Sequence, residues 1–418
     1  MKRKWAWLFL FIGIPLTTNA AIPQQVTEAA FEAKVIAPLG AAELCQYKAL
    51  KSLGWEIKIE TGNRNHISFN ESSKACNQDS LDDAHKNGEL ILNITIAREG
   101  ENSWKSVAQN FKSLLNSTNY LQTPLDSAAS LCAYKQKVRT AALTATTKLD
   151  ANRRYNFGVG KWAYCDVPWD EWSKIDQSNR YSCVVATLSP TSAMECFYDY
   201  YCRSECAAGL QASLLATQME LYRPHFDQAF STSEVILGYW QDLYQSDNPF
   251  FSKTKQEIYS KRIQDEDGTL HASLGAAAFI GLSGYIGNVL GEEYLDSPAD
   301  RGENFMIVDM SAAANEELKS HGGLPYFTQM NHQLWKLYNE EGSNDYQEKI
   351  DKILAGAFYS QVKVYVHPLG IMSFGEHIKR LLERNPRTPY KFRLHDETTN
   401  SVLFERYKQH LIKRCQSP

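Results

Sequence analysis

The spacing of apolar residues changes several times along the chain, and each change marks a predicted element. Over Lys34–Trp55, Leu39, Leu44, Tyr47, Leu50 and Leu53 fall roughly on one helical face, so the segment predicts a helix. Glu89–Ile96 (E-L-I-L-N-I-T-I) alternates with period two and predicts a strand. Trp104–Leu115 and Ala128–Lys148 return to helical spacing, and the aromatic stretch Gly158–Trp172 reads as a loop. Ser204–Leu221 predicts a further helix, with Ala207, Leu210, Leu214 and Leu221 near one stripe and Ser204 at the N-cap position. Short strands are predicted at Glu234–Trp240, Glu303–Asp309, Gln361–Val366 and Tyr390–Leu394, and a helix at Phe374–Arg384. Gln245–Asp267 is polar and reads as an exposed helix or loop. Thr269–Leu290 is apolar but broken by glycines, as expected of a packed core loop. Residues 311–357 read as a mostly helical insertion. A helix followed by successive strands predicts an α+β fold.

The N-terminus changes the picture. Lys2, Arg3 and Lys4 precede the apolar run Trp5–Leu16, and Thr18-Asn19-Ala20 supplies small residues for cleavage, so residues 1–21 read as an export signal. The run falls short of the roughly 18 residues of a membrane span, and no later stretch qualifies. The expected mature protein is secreted or periplasmic, with no stable membrane span. Its length favours two domains, at 22–150 and 151–418. The first carries no motif with chemistry. A net charge of −4 without a basic tail argues against nucleic acid as a partner. Nine cysteines in an exported chain predict disulfides, and an odd number leaves at least one thiol free or paired between chains. No cysteine spacing gives a zinc site, and neither a metal nor another cofactor is expected.

The candidate chemistry centres on Cys206, in Tyr201–Leu221 (Y-C-R-S-E-C-A-A-G-L-Q-A-S-L-L-A-T-Q-M-E-L). A cysteine in the first turn of a helix meets unpaired N–H groups and the positive end of the dipole. These lower a thiol pKa from about 8.5 and favour the nucleophilic thiolate. Cys196 and Cys202 are close enough in sequence to compete as disulfide partners. Acyl transfer also needs a base and a group that orients it. Glu303, opening a predicted strand, is the candidate base. His367, ending another, is the candidate orienting group, and Glu205 is a second possible base. The backbone N–H of Cys206 would serve an oxyanion hole.

These residues carry a resemblance. Glu205-Cys206-Ala207-Ala208 with Phe226-Asp227-Gln228-Ala229-Phe230, then Arg301-Gly302-Glu303-Asn304, then Tyr365-Val366-His367-Pro368-Leu369-Gly370-Ile371, resemble in order the blocks of the spore-coat transglutaminases of endospore-forming bacteria. The resemblance covers roughly residues 160–400 and implies a papain-like catalytic core, a cysteine helix packed on an antiparallel sheet. It implies that Cys206 attacks the carboxamide of a protein glutamine, with Glu303 as principal base, Glu205 as substitute and His367 in support. Trp240 resembles the tryptophan that walls the family's substrate tunnel. A lysine amine would then resolve the thioester to an isopeptide bond. Asp300 stands where the family has a second tunnel tryptophan, which leaves transfer to water, and hence deamidation, open beside crosslinking. Two other readings stay open: a papain-like peptidoglycan peptidase or amidase, which usually places histidine where Glu303 lies, and a disulfide-rich binding protein in which Cys206 is oxidised.

Overall fold

A computed structural model describes residues 27–60, 65–71, 90–96, 101–116, 128–158, 164–166, 172–177, 180–238, 283–288, 302–339, 345–384, 390–394 and 397–416. The expectations for the export signal, Gln245–Asp267, most of Thr269–Leu290, Trp240 and Asp300 lie outside the described residues.

The helix expected over Lys34–Trp55 is divided. A short helix, Glu28–Phe31, is capped by the Thr27 hydroxyl, which accepts from the Ala30 N–H at 3.2 Å, and it runs into a π-helical turn at Glu32–Ile36. Pro38 has no N–H to donate and Gly40 is extended, so the helix α1 restarts at Ala41–Ser52. Trp55 then opens a strand. β1 (Trp55–Glu60), β2 (Asn65–Glu71) and β3 (Leu90–Ile96) form an antiparallel meander. Two helices follow, α2 (Glu101–Leu115) and α3 (Ala128–Ala151).

β4 (Tyr155–Phe157) and β5 (Tyr164–Asp166) lead to a hairpin of β6 (Trp172–Gln177) and β7 (Arg180–Ala186). The helix α4 (Pro190–Asp199) and the cysteine helix α5 (Cys206–Tyr222) are joined by β8 (Tyr201–Ser204), which lies between β4 and β5. β9 (Ile236–Gly238) returns to pair with β7. The remaining strands, β10 (Ser283–Asn288), β11 (Gly302–Met310), β12 (Val362–Val366), β13 (Gly370–Ser373) and β14 (Tyr390–Leu394), form one antiparallel sheet in the order β13-β12-β11-β10-β14. The expected insertion is helical: α6 (Ala312–Ser320), α7 (Leu324–Asn339), α8 (Tyr346–Leu354) and α9 (Ala357–Gln361) lie between β11 and β12. α10 (Phe374–Arg384) follows β13, and α11 (Glu397–Gln416) ends the described chain. The fold is α+β, as the pattern predicted.

Strand alternation on β11 separates two cores. Phe305 and Ile307 face Phe358, Phe374 and Ile378, whereas Met306 and Val308 face the α3 and α5 side. A register shift between Ile307 and Asp309 restarts the alternation, so that Met310 joins the first core. Asp309 pairs with Arg139 of α3 at 2.6 Å.

α5 is buried on every side from Ala208 to Met219 rather than along one stripe. α3 packs along it, and Lys148 of α3 bonds Glu220 of α5 at 2.9 Å. The expected division near residue 150 falls at the end of α3. Side chains on both sides of it, from Phe31 and Tyr134 to Leu215 and Tyr407, belong to one buried cluster. A disulfide between Cys45 of α1 and Cys415 of α11 joins residues 370 apart. No helix among the described residues is long and apolar enough to cross a membrane.

A cross-link closing so long a loop removes much entropy from the unfolded chain. The double substitution Cys45→Ser/Cys415→Ser is expected to cost about 2–5 kcal/mol, read as a lower denaturant midpoint without reductant. An unchanged midpoint would show that α1 and α11 hold together without the bridge.

Candidate active site

Cys206 is presented by a locked strand. Cys165 of β5 and Cys202 of β8 are paired directly in register and joined by a disulfide. Cys202 is therefore not a partner for Cys206, which carries a free thiol. The expected N-cap, Ser204, instead ends β8: it is fully buried, and its hydroxyl bonds the Tyr155 hydroxyl at 2.8 Å. Glu205 takes the capping role. Its Oε1 accepts from the Ala208 N–H at 2.8 Å, placing a carboxylate at the positive end of α5. Its Oε2 accepts from Cys206 Sγ at 3.4 Å.

This geometry overturns the expected low thiol pKa. Burial, followed by the Glu205 charge, pushes the Cys206 thiol up to about 12; the Asn304 amide opposes the shift, and the Glu205 hydrogen bond and Glu303 charge add to it. The helix terminus is present, but its positive end is already occupied by the Glu205 carboxylate. At neutral pH the resting sulfur is protonated.

β11 runs beside this sulfur. Asn304, with the parity of Met306, lies on the α5 side, and its Nδ2 donates to Cys206 Sγ at 3.5 Å. Glu303 has the opposite parity, with Phe305 and Ile307. Its Oε2 lies 3.5 Å from Nδ1 of the fully buried His377 on α10. Its charge still reaches the thiol, but the carboxylate hydrogen-bonded to Sγ is that of Glu205. Sequence reasoning thus ranked the two glutamates in the reverse of their order of contact with the sulfur.

His367 is placed on the same side as Asn304. The antiparallel pairing of Met306 with Tyr365, extended by two residues, sets Asn304 opposite His367. A Cβ at Gly209 would collide with the His367 ring, so glycine in the first turn of α5 is what admits the imidazole. The ring lies 4.1 Å from that of Tyr155, centroid to centroid. Burial lowers its pKa to about 4, against an opposing pull from the backbone of Ser204 and Asn156. Among the described residues, neither ring nitrogen completes a hydrogen bond.

Gln211, one turn along α5, bonds the Gly238 backbone in both directions: Nε2 to the carbonyl at 2.8 Å, and the Gly238 N–H to Oε1 at 2.9 Å. β9, two residues before Trp240, is thereby fixed to the cysteine helix.

The site thus gathers Cys206, Glu205, Asn304 and His367 on one side of the sheet, and Glu303 with His377 on the other. Two of these residues, Asn304 and His377, were not assigned a role from sequence. His377 had a signal: it follows Phe374 by three residues and precedes Leu381 by four, on the apolar face of α10. Among the described residues, no group of three or more His, Cys, Asp or Glu could hold a metal ion. Two clefts, of about 680 and 550 Å³, open elsewhere, the larger between α1, α3 and the end of α5, the smaller between the Lys34–Leu39 segment and α2. No family model, curated protein or solved structure matches the chain.

Two outcomes follow from the electrostatics. Glu205→Gln keeps an oxygen to cap Ala208 but removes the charge beside Sγ. Iodoacetamide should then alkylate Cys206 about tenfold faster at pH 8, an effect of roughly one pK unit. An unchanged rate would remove Glu205 as the cause of the raised pKa. For His367, the folded ring resists a proton that the unfolded ring accepts from about pH 6.5 downward. Its contribution is thus intact above pH 6.5 and is lost progressively toward pH 4, about 3 kcal/mol in all. His367→Gln should flatten that part of the stability–pH profile; an unchanged slope would refute the assignment.

Proposed function

We propose that the chain is an exported, transglutaminase-like enzyme that acts on protein glutamines. The observation that carries the proposal is Cys206: a free thiol at the head of a buried helix, hydrogen-bonded on one side by a carboxylate and on the other by an amide. A helix with its thiol at the N-terminus, packed against an antiparallel sheet, is in keeping with the papain-like core that the resemblance implies. The disulfides suit an oxidising compartment, in keeping with the export signal read at residues 1–21.

In this reading, the substrate carboxamide carbon approaches Sγ. As the C–S bond forms, Glu205 Oε2 takes the thiol proton and then delivers it to the leaving nitrogen, so ammonia departs and a thioester remains. The Cys206 backbone N–H, at the start of α5, faces the developing oxyanion. A lysine amine attacks the thioester, passes its proton to Glu205 and forms an isopeptide bond; water in its place gives deamidation. Glu205 replaces Glu303 as the principal base of the proposal, because strand alternation sets Glu303 toward His377 and leaves Glu205 in contact with the sulfur. Glu303 contributes negative potential, and His367 supports the site through packing under the first turn of α5.

The test is incorporation of a labelled primary amine into a glutamine-rich protein, with ammonia release followed in parallel. Wild type should give both signals and Cys206→Ala neither. Glu205→Gln should lower kcat by about 10²-fold or more, while Glu303→Gln has the smaller effect. Ammonia without incorporation identifies a deamidase. Neither signal from folded wild type would overturn the proposal.

A further inference from the structure

We infer that Asn304 is a catalytic residue of this site, the donor that holds the Cys206 sulfur as its proton leaves. The donor and acceptor count at the sulfur decides which way the amide faces. The single thiol proton is directed to Glu205 Oε2 at 3.4 Å, so Sγ is left only as an acceptor toward its second neighbour. That neighbour must present an N–H, and Nδ2 of Asn304 lies 3.5 Å from Sγ. Asn304 is almost fully buried, and its place on β11 fixes it by the same alternation that turns Met306 toward α5.

The chemistry follows from the two contacts together. When the S–H bond breaks, its proton passes to Glu205 and the electron pair stays on sulfur. The Glu205 contact stabilises the protonated sulfur, because a negative charge beside a thiol disfavours the thiolate. The Asn304 contact stabilises the anion, because a hydrogen bond to a charged acceptor is stronger than one to a neutral acceptor. In a site this buried, no other side chain among the described residues donates to Sγ. Glu205 and Asn304 therefore act in opposite directions on one atom, and the sulfur can change state without leaving either partner. The catalytic role rests on the proposed acyl transfer; the effect on the sulfur does not.

The experiment measures the rate at which iodoacetamide alkylates Cys206 in the full chain from pH 7 to 11, located by peptide mass spectrometry, with Cys206→Ala as the blank. Asn304→Ala should slow alkylation at pH 8 by about tenfold, and the isosteric Asn304→Asp by more, since it replaces the donor with a further charge. Both changes oppose the acceleration expected for Glu205→Gln, a sign pattern that general loosening of the site cannot produce. Thermal melts of both variants identify any that fail to fold. Should Asn304→Ala perturb packing, Asn304→Asp keeps the shape and decides the question. Alkylation profiles that match wild type in a folded Asn304→Asp variant would overturn the inference. Because this readout needs no glutamine substrate, it stands apart from the amine-incorporation assay. Loss of incorporation in wild type would defeat the transglutaminase reading and leave the sulfur–amide contact to be judged by alkylation alone.

Discussion

The structure depends on burying one helix completely. From Ala208 to Met219 α5 has core on all sides, so a polar group there is costly unless it finds a partner within the protein. The solutions are local. Ser213 and Thr217 donate to carbonyls of their own helix, at 2.7 and 2.8 Å, and Gln211 spends both ends of its amide on Gly238. A helix buried all round has no free face on which to display a functional group, and what remains is its end. Cys206 stands there, and the strand that leads to it is bridged by Cys165–Cys202. The Cys206 sulfur is thus held at the terminus of a buried helix, behind a disulfide-bridged strand.

The same burial sets the electrostatics. A helix N-terminus ordinarily favours a thiolate, but α5 satisfies that terminus with Glu205, one residue ahead of the sulfur. The carboxylate gains the dipole and the Ala208 N–H, and the thiol loses them. β11 then divides its two polar residues between opposite faces, Asn304 toward the sulfur and Glu303 toward His377. One peptide step decides which of two adjacent side chains can touch the sulfur.

Much of this order was legible in the chain. Strands at Glu303–Asp309, Gln361–Val366 and Tyr390–Leu394 and the helix at Phe374–Arg384 fell close to their observed bounds, because alternation and amphipathic spacing there are strong. α11 was not predicted, since its mixed polar surface hides the positions, Leu403, Phe404, Tyr407, Leu411 and Cys415, that reach the core. The break at Pro38-Leu39-Gly40 was written in the sequence but overridden by apolar spacing on either side. At the site, residue types and chain order identified Cys206, Glu205, Glu303 and His367 as the polar set. Their facing was not legible. Whether residue 303 or 304 points at a given helix is a matter of register, and register is set by pairing with strands far off in sequence. Ser204 illustrates the same limit: its type suits an N-cap, yet it ends the strand β8, which the sequence did not announce, and the cap passed to Glu205.

A free thiol in a chain that also holds disulfides needs protection from them. Thiol–disulfide exchange and oxidation both proceed through the thiolate, so a cysteine resting as thiolate near Cys165–Cys202 would be exposed to both. Burial, with the Glu205 charge added to it, favours the protonated form of Cys206 and so limits that exposure. Under the proposed function, the arrangement also defines what a substrate must do. Any group that binds beside the sulfur and displaces negative charge from it, or that draws the proton fully onto Glu205, releases the nucleophile at the moment it can be used. A cysteine with a low pKa would be reactive at all times, whereas one held between a carboxylate and an amide donor is reactive only when that balance is tipped.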